Sequence, residues 1–185
     1  MCCIIAVIAI LPTGCRQNVP LSSYLDQPWD TVVCGSRLVL VTPVKMTEDI
    51  GLVANYPPDI KQYTKGISCY RSETDIRQLD IRTHVLDYVP SVTCSLDGAA
   101  RGAIESLRSD SGGSRFTFSE KDIEIGQRHG RLQQGNWIRG DKPVRFMQLI
   151  VTEGSSLWQI YIQYDGRDAA GDRLAEQLLS RCRLK

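Results

Sequence analysis

From residue 79 the chain alternates strictly: Leu79, Ile81, Thr83 and Val85 fall on one side, while Gln78, Asp80, Arg82 and His84 fall on the other. A period of two predicts a half-buried antiparallel strand. The preceding run ISCYRSE supplies its partner, so the two form a hairpin turning near Glu73 and Thr74. Four more runs follow: RFTFSEKDIEI, RLQQGNWIR, VRFMQLIVT and LWQIYIQY. Their connections carry Gly126, the Gly140-Asp141 tip and Gly154-Ser155, the residue types tight turns require, which predicts an antiparallel meander. In the last run Trp158, Ile160, Ile162 and Tyr164 share a face and are assigned to the core.

Two segments change period from two to 3.6. In SLDGAARGAIESLRSDSGG, Leu96, Ala99, Ala100, Ala103, Ile104 and Leu107 form one stripe; Ser95 is the expected cap, Asp97 suits the positive helix end, and Gly112-Gly113 ends the helix. The closing DAAGDRLAEQLLSRCRLK places Ala170, Leu174, Leu178 and Cys182 four apart, with Asp168 at the start and Arg181, Arg183 and Lys185 at the end, matching the helix dipole. Earlier, WDTVVC and RLVLVTP flank a Gly35-Ser36 turn and predict a hairpin ended by Pro43. The next twenty residues read as irregular, apart from one helical turn in PPDIKQYTKG started by Pro57 and Pro58. The fold class is therefore α+β: an antiparallel sheet of about six to eight strands, N-terminal hairpins plus C-terminal meander, flanked by two main helices.

The N-terminus follows different rules. Residues 2–11 are apolar and uncharged, too short for the roughly 20 residues of a membrane-spanning helix but suited to a secretory signal core. The run closes in LPTGC, where the small Thr13 and Gly14 precede Cys15. This segment resembles a bacterial lipoprotein signal, with Leu11 one place earlier than usual; the alternative is an apolar strand or helix of the core. The resemblance implies a signal peptide at 1–14, acylation at Cys15 and anchorage to a membrane. Residues 16–28, polar and carrying two prolines, read as a tether, leaving a single domain at 29–185.

With Cys15 set aside, Cys34, Cys69, Cys94 and Cys182 remain in the exported part, an even number that makes them candidates for one or two disulfides. Cys69 lies near one end of the long hairpin and Cys94 beyond the other, about 35 Å away at the strand rise, so that pairing is the least favoured. Buried free thiols are the alternative.

The order hairpin, hairpin, helix, four-stranded meander, helix resembles the PsbP-like fold found in small exported bacterial proteins, including lipoproteins of the DcrB type. The residues that carry it are CSLDGAARGAIESL and GRLQQGNWIRGDKPVRFMQLIVTEGSSLWQIYIQYD with the closing helix, spanning roughly 31–182. The resemblance implies binding or assembly at the cell envelope without a shared catalytic site.

Composition narrows the remaining chemistry. Of 185 residues 42% are apolar and 23% charged, enough for an ordinary core; 22 basic against 21 acidic residues give a net charge of +1, so no bulk field favours nucleic acid. The histidines, His84 and His129, lack metal-site spacing, and no nucleophile elbow or phosphate loop is present, so neither a metal nor a cofactor is expected. Asp80, Arg82 and His84 form a polar strand face that can meet a ligand, although a solvated face is the blander reading. Glu120 and Asp122 share one strand face, which is no evidence for opposed catalytic carboxylates. Arg139-Gly140-Asp141 is an RGD triplet at a hairpin tip, where Gly and Asp are also ordinary turn chemistry. The aromatic set Trp137, Phe146, Trp158, Tyr161 and Tyr164 reads as sheet packing.

The expected protein is a non-enzyme of the bacterial cell envelope, held to the membrane through Cys15 and binding an envelope protein or small ligand. Two rivals stand beside it: a small envelope hydrolase using His84 or His129 with a carboxylate, and an adhesion protein using the RGD turn.

Overall fold

The meander forms where the glycines predict it. A computed structural model describes residues 19–112 and 115–185. After a short helix α1 (Ser22–Asp26), strands β1 (Asp30–Cys34) and β2 (Leu38–Thr42) make the first hairpin, and β3 (Met46–Glu48) follows. Helices α2 (Ile50–Ala54) and α3 (Pro58–Lys61) lead into the long hairpin of β4 (Thr64–Ser72) and β5 (Leu79–Tyr88). Helix α4 (Leu96–Asp110) precedes β6 (Thr117–Ile125), β7 (Arg128–Arg139), β8 (Lys142–Glu153) and β9 (Ser156–Asp165); α5 (Ala170–Ser180) and β10 (Arg183–Leu184) close the chain. Pairings such as Ile125 with Arg128, Arg139 with Lys142 and Glu153 with Ser156 leave two-residue loops. Each loop opens on a glycine at φ of +59° to +65°, with the second residue at negative φ, the type II′ geometry matched to strand twist.

The strands make two antiparallel sheets, β3-β4-β5-β9-β8-β7-β6 and β1-β2-β10. The pairing of β5 with β9, from Leu79–Tyr164 to Asp87–Ser156, joins the long hairpin to the meander. Alternation then sorts side chains onto two faces. The first carries Leu79, Ile81, Val85, Met147, Leu149, Val151, Trp158, Ile160 and Ile162 into the main core against α5 and the smaller sheet. Helix α5 approaches so closely that a Cβ at Gly171 would stand 2.2 Å from the Tyr164 ring, a spacing only glycine allows. The second face carries Val144, Phe146, Tyr161 and Trp137 under Ile104 of α4, whose predicted Ser95 cap accepts from Gly98 N–H at 3.1 Å.

Four expectations are corrected. The second half of the proposed tether is part of the domain: Leu21 is 1% exposed, Tyr24 and Leu25 pack on the core, and Leu21 N–H donates to Asp168 Oδ2 at 2.9 Å. Two prolines and a polar composition concealed three well-spaced apolar side chains. The stretch after Pro43 is not irregular, since β3 and α2 lie in it; Asp49 caps α2 by accepting from Leu52 N–H at 2.9 Å. The last helix stops at Ser180, so Arg183 belongs to β10, which pairs with β2 at Val39 and Leu38. Cys182 is nonetheless buried, as its place in the stripe predicts.

The fourth correction concerns thiols. Cys34, Cys69, Cys94 and Cys182 are free, so none of the candidate disulfides is present. Cys34 and Cys182 join the first-face core, whereas Cys69 pairs in register with His84 and faces the second side. Cys94 sits before α4, its N–H bonded to Gly154 C=O at 2.8 Å. Burial raises the thiol pKa of Cys34, and carries Cys69 and Cys182 to about 11. Residues 1–18, with Cys15 and the signal reading, lie outside the described residues, as does Gly113.

Candidate functional site

The polar face of β5 is not a solvated surface. It floors a cleft of about 650 Å³, walled on one side by α2 and α3 and on the other by α4. Two ladder rows of β5 and β9 run across the floor from Arg82–Tyr161 to His84–Gln159, with Leu86–Leu157 beyond them. Leu52, Asn55, Tyr56, Pro57 and Ile60 line the first wall; Ala99, Gly102, Ala103, Ser106, Leu107 and Asp110 line the second. The volume falls within the range of small-molecule sites.

His84 occupies the centre. Tyr56 Oη lies 2.6 Å from His84 Nδ1 and Cys69 Sγ 3.5 Å from the same nitrogen. Burial raises the pKa of both Tyr56 and Cys69, so each keeps its proton. Two protonated groups converging on Nδ1 assign it the acceptor role, which leaves the ring proton on Nε2. Burial, and then the Arg82 charge, lower the His84 pKa to about 4 against a smaller opposing pull from Asp49. The imidazole is therefore neutral at ordinary pH, a fixed donor on the cleft floor.

Asp80, Arg82 and His84 come together only in part. Asp80 is 1% exposed and is enclosed by two guanidiniums: Arg71 Nε donates to Oδ1 at 3.1 Å, Arg82 Nε to Oδ2 at 2.9 Å and Arg82 Nη2 to Oδ2 at 2.6 Å. It is a support, holding Arg82 beside the ring of Tyr161, 5.9 Å from its centroid. Arg82 and His84 line the cleft, and Asp80 does not. Burial keeps the Tyr161 phenol protonated, and its hydroxyl donates to Gln163 Oε1 at 2.9 Å.

The same amide oxygen accepts from Arg139 Nη2 at 3.0 Å, and that guanidinium lies 5.8 Å from the Trp137 ring centroid. The arginine of the RGD triplet is thus turned over the sheet rather than presented beside Asp141 at the tip. His129, an exposed residue near the start of β7, is not part of the cleft lining. Glu120 and Asp122 are engaged by Arg131, at 3.0 and 2.6 Å, together with Asp97 at 2.8 Å.

Beneath α4 a chain of amides crosses the sheet. Gln159 Nε2 donates to Gln148 Oε1 at 2.8 Å, Gln148 Nε2 to Gln133 Oε1 at 2.6 Å, and Gln133 Nε2 to Glu120 Oε2 at 2.8 Å and Ala100 C=O at 3.1 Å. Gln133 and Gln148 are fully buried, and their mutual satisfaction avoids the cost of orphaned amides. The ladder fixes the orientation of Gln159 on the floor.

Sequence reasoning missed Tyr56, Tyr161, Gln159 and Gln163 as site residues. Tyr56 fell in the stretch read as irregular. The glutamines carried a usable signal, since Gln133, Gln148 and Gln163 interrupt strands at positions that alternate with core residues.

No family model matches this sequence, and no curated protein matches it. Among solved structures, the chain is similar to the solution structure of cyanobacterial PsbP (CyanoP) from Synechocystis sp. PCC 6803, with a TM-score of 0.56 at 10% identity, covering 80% of this chain and 86% of that one. The chain has a PsbP-like fold. More distant similarities are to the crystal structures of PA94, a protein of unknown function from Pseudomonas aeruginosa (TM-score 0.42, 10% identity, 84% and 95% coverage), and of LpqN, involved in cell envelope biogenesis of Mycobacterium tuberculosis (TM-score 0.42, 12% identity, 91% and 99% coverage).

Proposed function

We propose that this chain is an exported, lipid-anchored envelope protein that binds a ligand in the cleft between α2–α3 and α4 rather than transforming it. The observation that carries the reading is the cleft floor, where His84, Arg82, Gln159 and Gln163 are all held by neighbours before any ligand arrives. Such preorganisation spares a ligand the cost of ordering its site. A shared fold brings no function with it, so the site itself has to support the reading.

The hydrolase rival needs a histidine oriented by a carboxylate and titrating near neutrality. His84 has a phenol and a thiol on Nδ1 and a pKa of about 4, which favours binding. Acylation of Cys15 would hold the domain at a membrane, with more than one acyl chain needed for stable anchorage.

Two measurements test the reading. Membrane partitioning in the native host should be lost on Cys15→Ala, and a wild-type protein found wholly in the soluble fraction rules the anchor out. Native mass spectrometry of protein extracted from membranes should show a non-covalent adduct absent from Gly102→Trp. Gly102 lines the cleft and a Cβ there meets no atom within 4 Å, so a large side chain can be attached at this point of the wall without a clash at its base. Identical spectra for the two proteins contradict the cleft as the binding site.

A further inference from the structure

The cleft has a direction. At one end of its floor stand Arg82 and Tyr161, with Gln163 and Arg139 beside them; in the middle stand His84 and Gln159; at the other end stand Leu86 and Leu157. Each step is two residues of strand, so Arg82 and Leu86 are separated by about 13 Å. Helix α4 lies along the same axis in the opposite sense to β5. It begins next to the β8–β9 turn, where Cys94 is bonded to Gly154, and its lining passes from Ala99 and Ala103 to Ser106 and Asp110, whose charge acts on Tyr161. Polarity therefore rises along the floor, and the wall, apolar at Ala99 and Ala103 and again at Leu107, ends in the charge of Asp110.

The charges at the polar end do not cancel. Arg71 and Arg82 share the single carboxylate of Asp80, and Arg139 bonds only the neutral Gln163 amide and forms no ion pair among the described residues. Against these three cations stand Asp80 and the rim residue Asp110, leaving one positive charge in excess. The donors are fork-shaped guanidiniums, suited to the paired oxygens of a carboxylate or phosphate. His84 Nε2–H adds a neutral donor further along the floor.

Resting on the cleft reading above, we infer that the ligand is an amphipathic anion: an apolar chain lying over Leu86 and Leu157, with a terminal carboxylate or phosphate between Arg139 and Arg82. The arginine end supplies the selectivity, and the leucine end supplies apolar burial. The cleft rejects a cation of equal tail length because the excess positive charge repels it, and it binds a neutral alcohol more weakly because the anion's charge-assisted hydrogen bonds are absent.

Calorimetric titration of the intact protein below the micelle threshold tests this with dodecanoate, dodecyl phosphate, dodecanol and dodecyltrimethylammonium. At least one anion should bind tenfold or more tighter than the alcohol and the cation, and the better anion identifies the head group. Arg139→Gln should weaken the anion tenfold or more, leave dodecanol unchanged, and flatten the dependence on ionic strength. Equal binding of anion, alcohol and cation, lost in Gly102→Trp, overturns the anionic assignment and leaves the cleft reading standing. Binding of the anions unaffected by Gly102→Trp overturns both. If none of the four binds while the membrane-extracted protein still carries its adduct, the amphiphile assignment fails alone.

Discussion

Tyr56 and His84, 28 residues apart, meet at 2.6 Å, the phenol lying against an imidazole that burial and then the Arg82 charge keep neutral inside the protein. The folded pKa of about 4 lies below the ordinary 6.5, so on acidification the unfolded chain takes up the proton first. The stability this contributes is complete above pH 6.5 and is lost as pH falls toward 4, amounting to about 2 kcal/mol between pH 7 and pH 5. Denaturant unfolding of wild type and His84→Gln at pH 7, 6 and 5 should therefore converge with acidity, wild type falling faster. A gap between the two that stays constant from pH 7 to 5 contradicts the assignment.

Two helical glycines respond oppositely to the same substitution. At Gly102 in α4 an added Cβ has no neighbour within 4 Å, so Gly102→Ala should stabilise the protein by up to about 1 kcal/mol through helix propensity. At Gly171 in α5 the Cβ would stand 2.2 Å from the Tyr164 ring, and Gly171→Ala should cost about 1–3 kcal/mol through overpacking. Thermal melts of the two variants against wild type separate the effects by sign.

Leu21 is a core residue in a segment of tether-like composition. Leu21→Ala should lower stability by about 2–4 kcal/mol, the cost of a cavity at a buried leucine. The change expected for a residue in a mobile linker is nearly zero. Equilibrium unfolding in urea decides between them.

Thiol accessibility follows position. In the folded protein, brief iodoacetamide treatment and site-resolved mass spectrometry should find Cys94 modified ahead of Cys34, Cys69 and Cys182, which react only in denaturant. Reduction should leave the mass of the peptides carrying these four residues unchanged. A two-dalton gain shared by any two of them reinstates a disulfide.

Legibility in the sequence followed the length and regularity of each element. The meander, the long hairpin, α4 with its Ser95 cap and the core face of β9 were readable because period and turn chemistry agreed over many residues. Helix α2 and strand β3 were too short to express a period, and α1 was hidden by its prolines. Asp80, Arg82 and His84 are readable in the sequence as a candidate ligand face, of which only Arg82 and His84 line the cleft, and the blander solvated reading competes because one strand does not show what covers it. Only the fold brings Tyr56 onto His84, and Arg139 onto Gln163. The three-letter match at the hairpin tip drew attention to Arg139 for its neighbours in sequence, whereas its contacts lie across the sheet.

Docking of Leu21 in the core beside α5 would shorten the leash of a protein anchored at Cys15. Six peptide steps separate residue 15 from residue 21, a reach of about 20 Å even when fully drawn out. A protein acylated at Cys15 would then ride close against its bilayer, less than one domain diameter away, instead of sweeping the space around its anchor. Leu21 sits in the α5 layer, and the cleft opens on the other side of the seven-stranded sheet. The sheet would act as a bulkhead between the point of attachment and the binding site, so cargo would be taken up and surrendered on the side turned from the anchor.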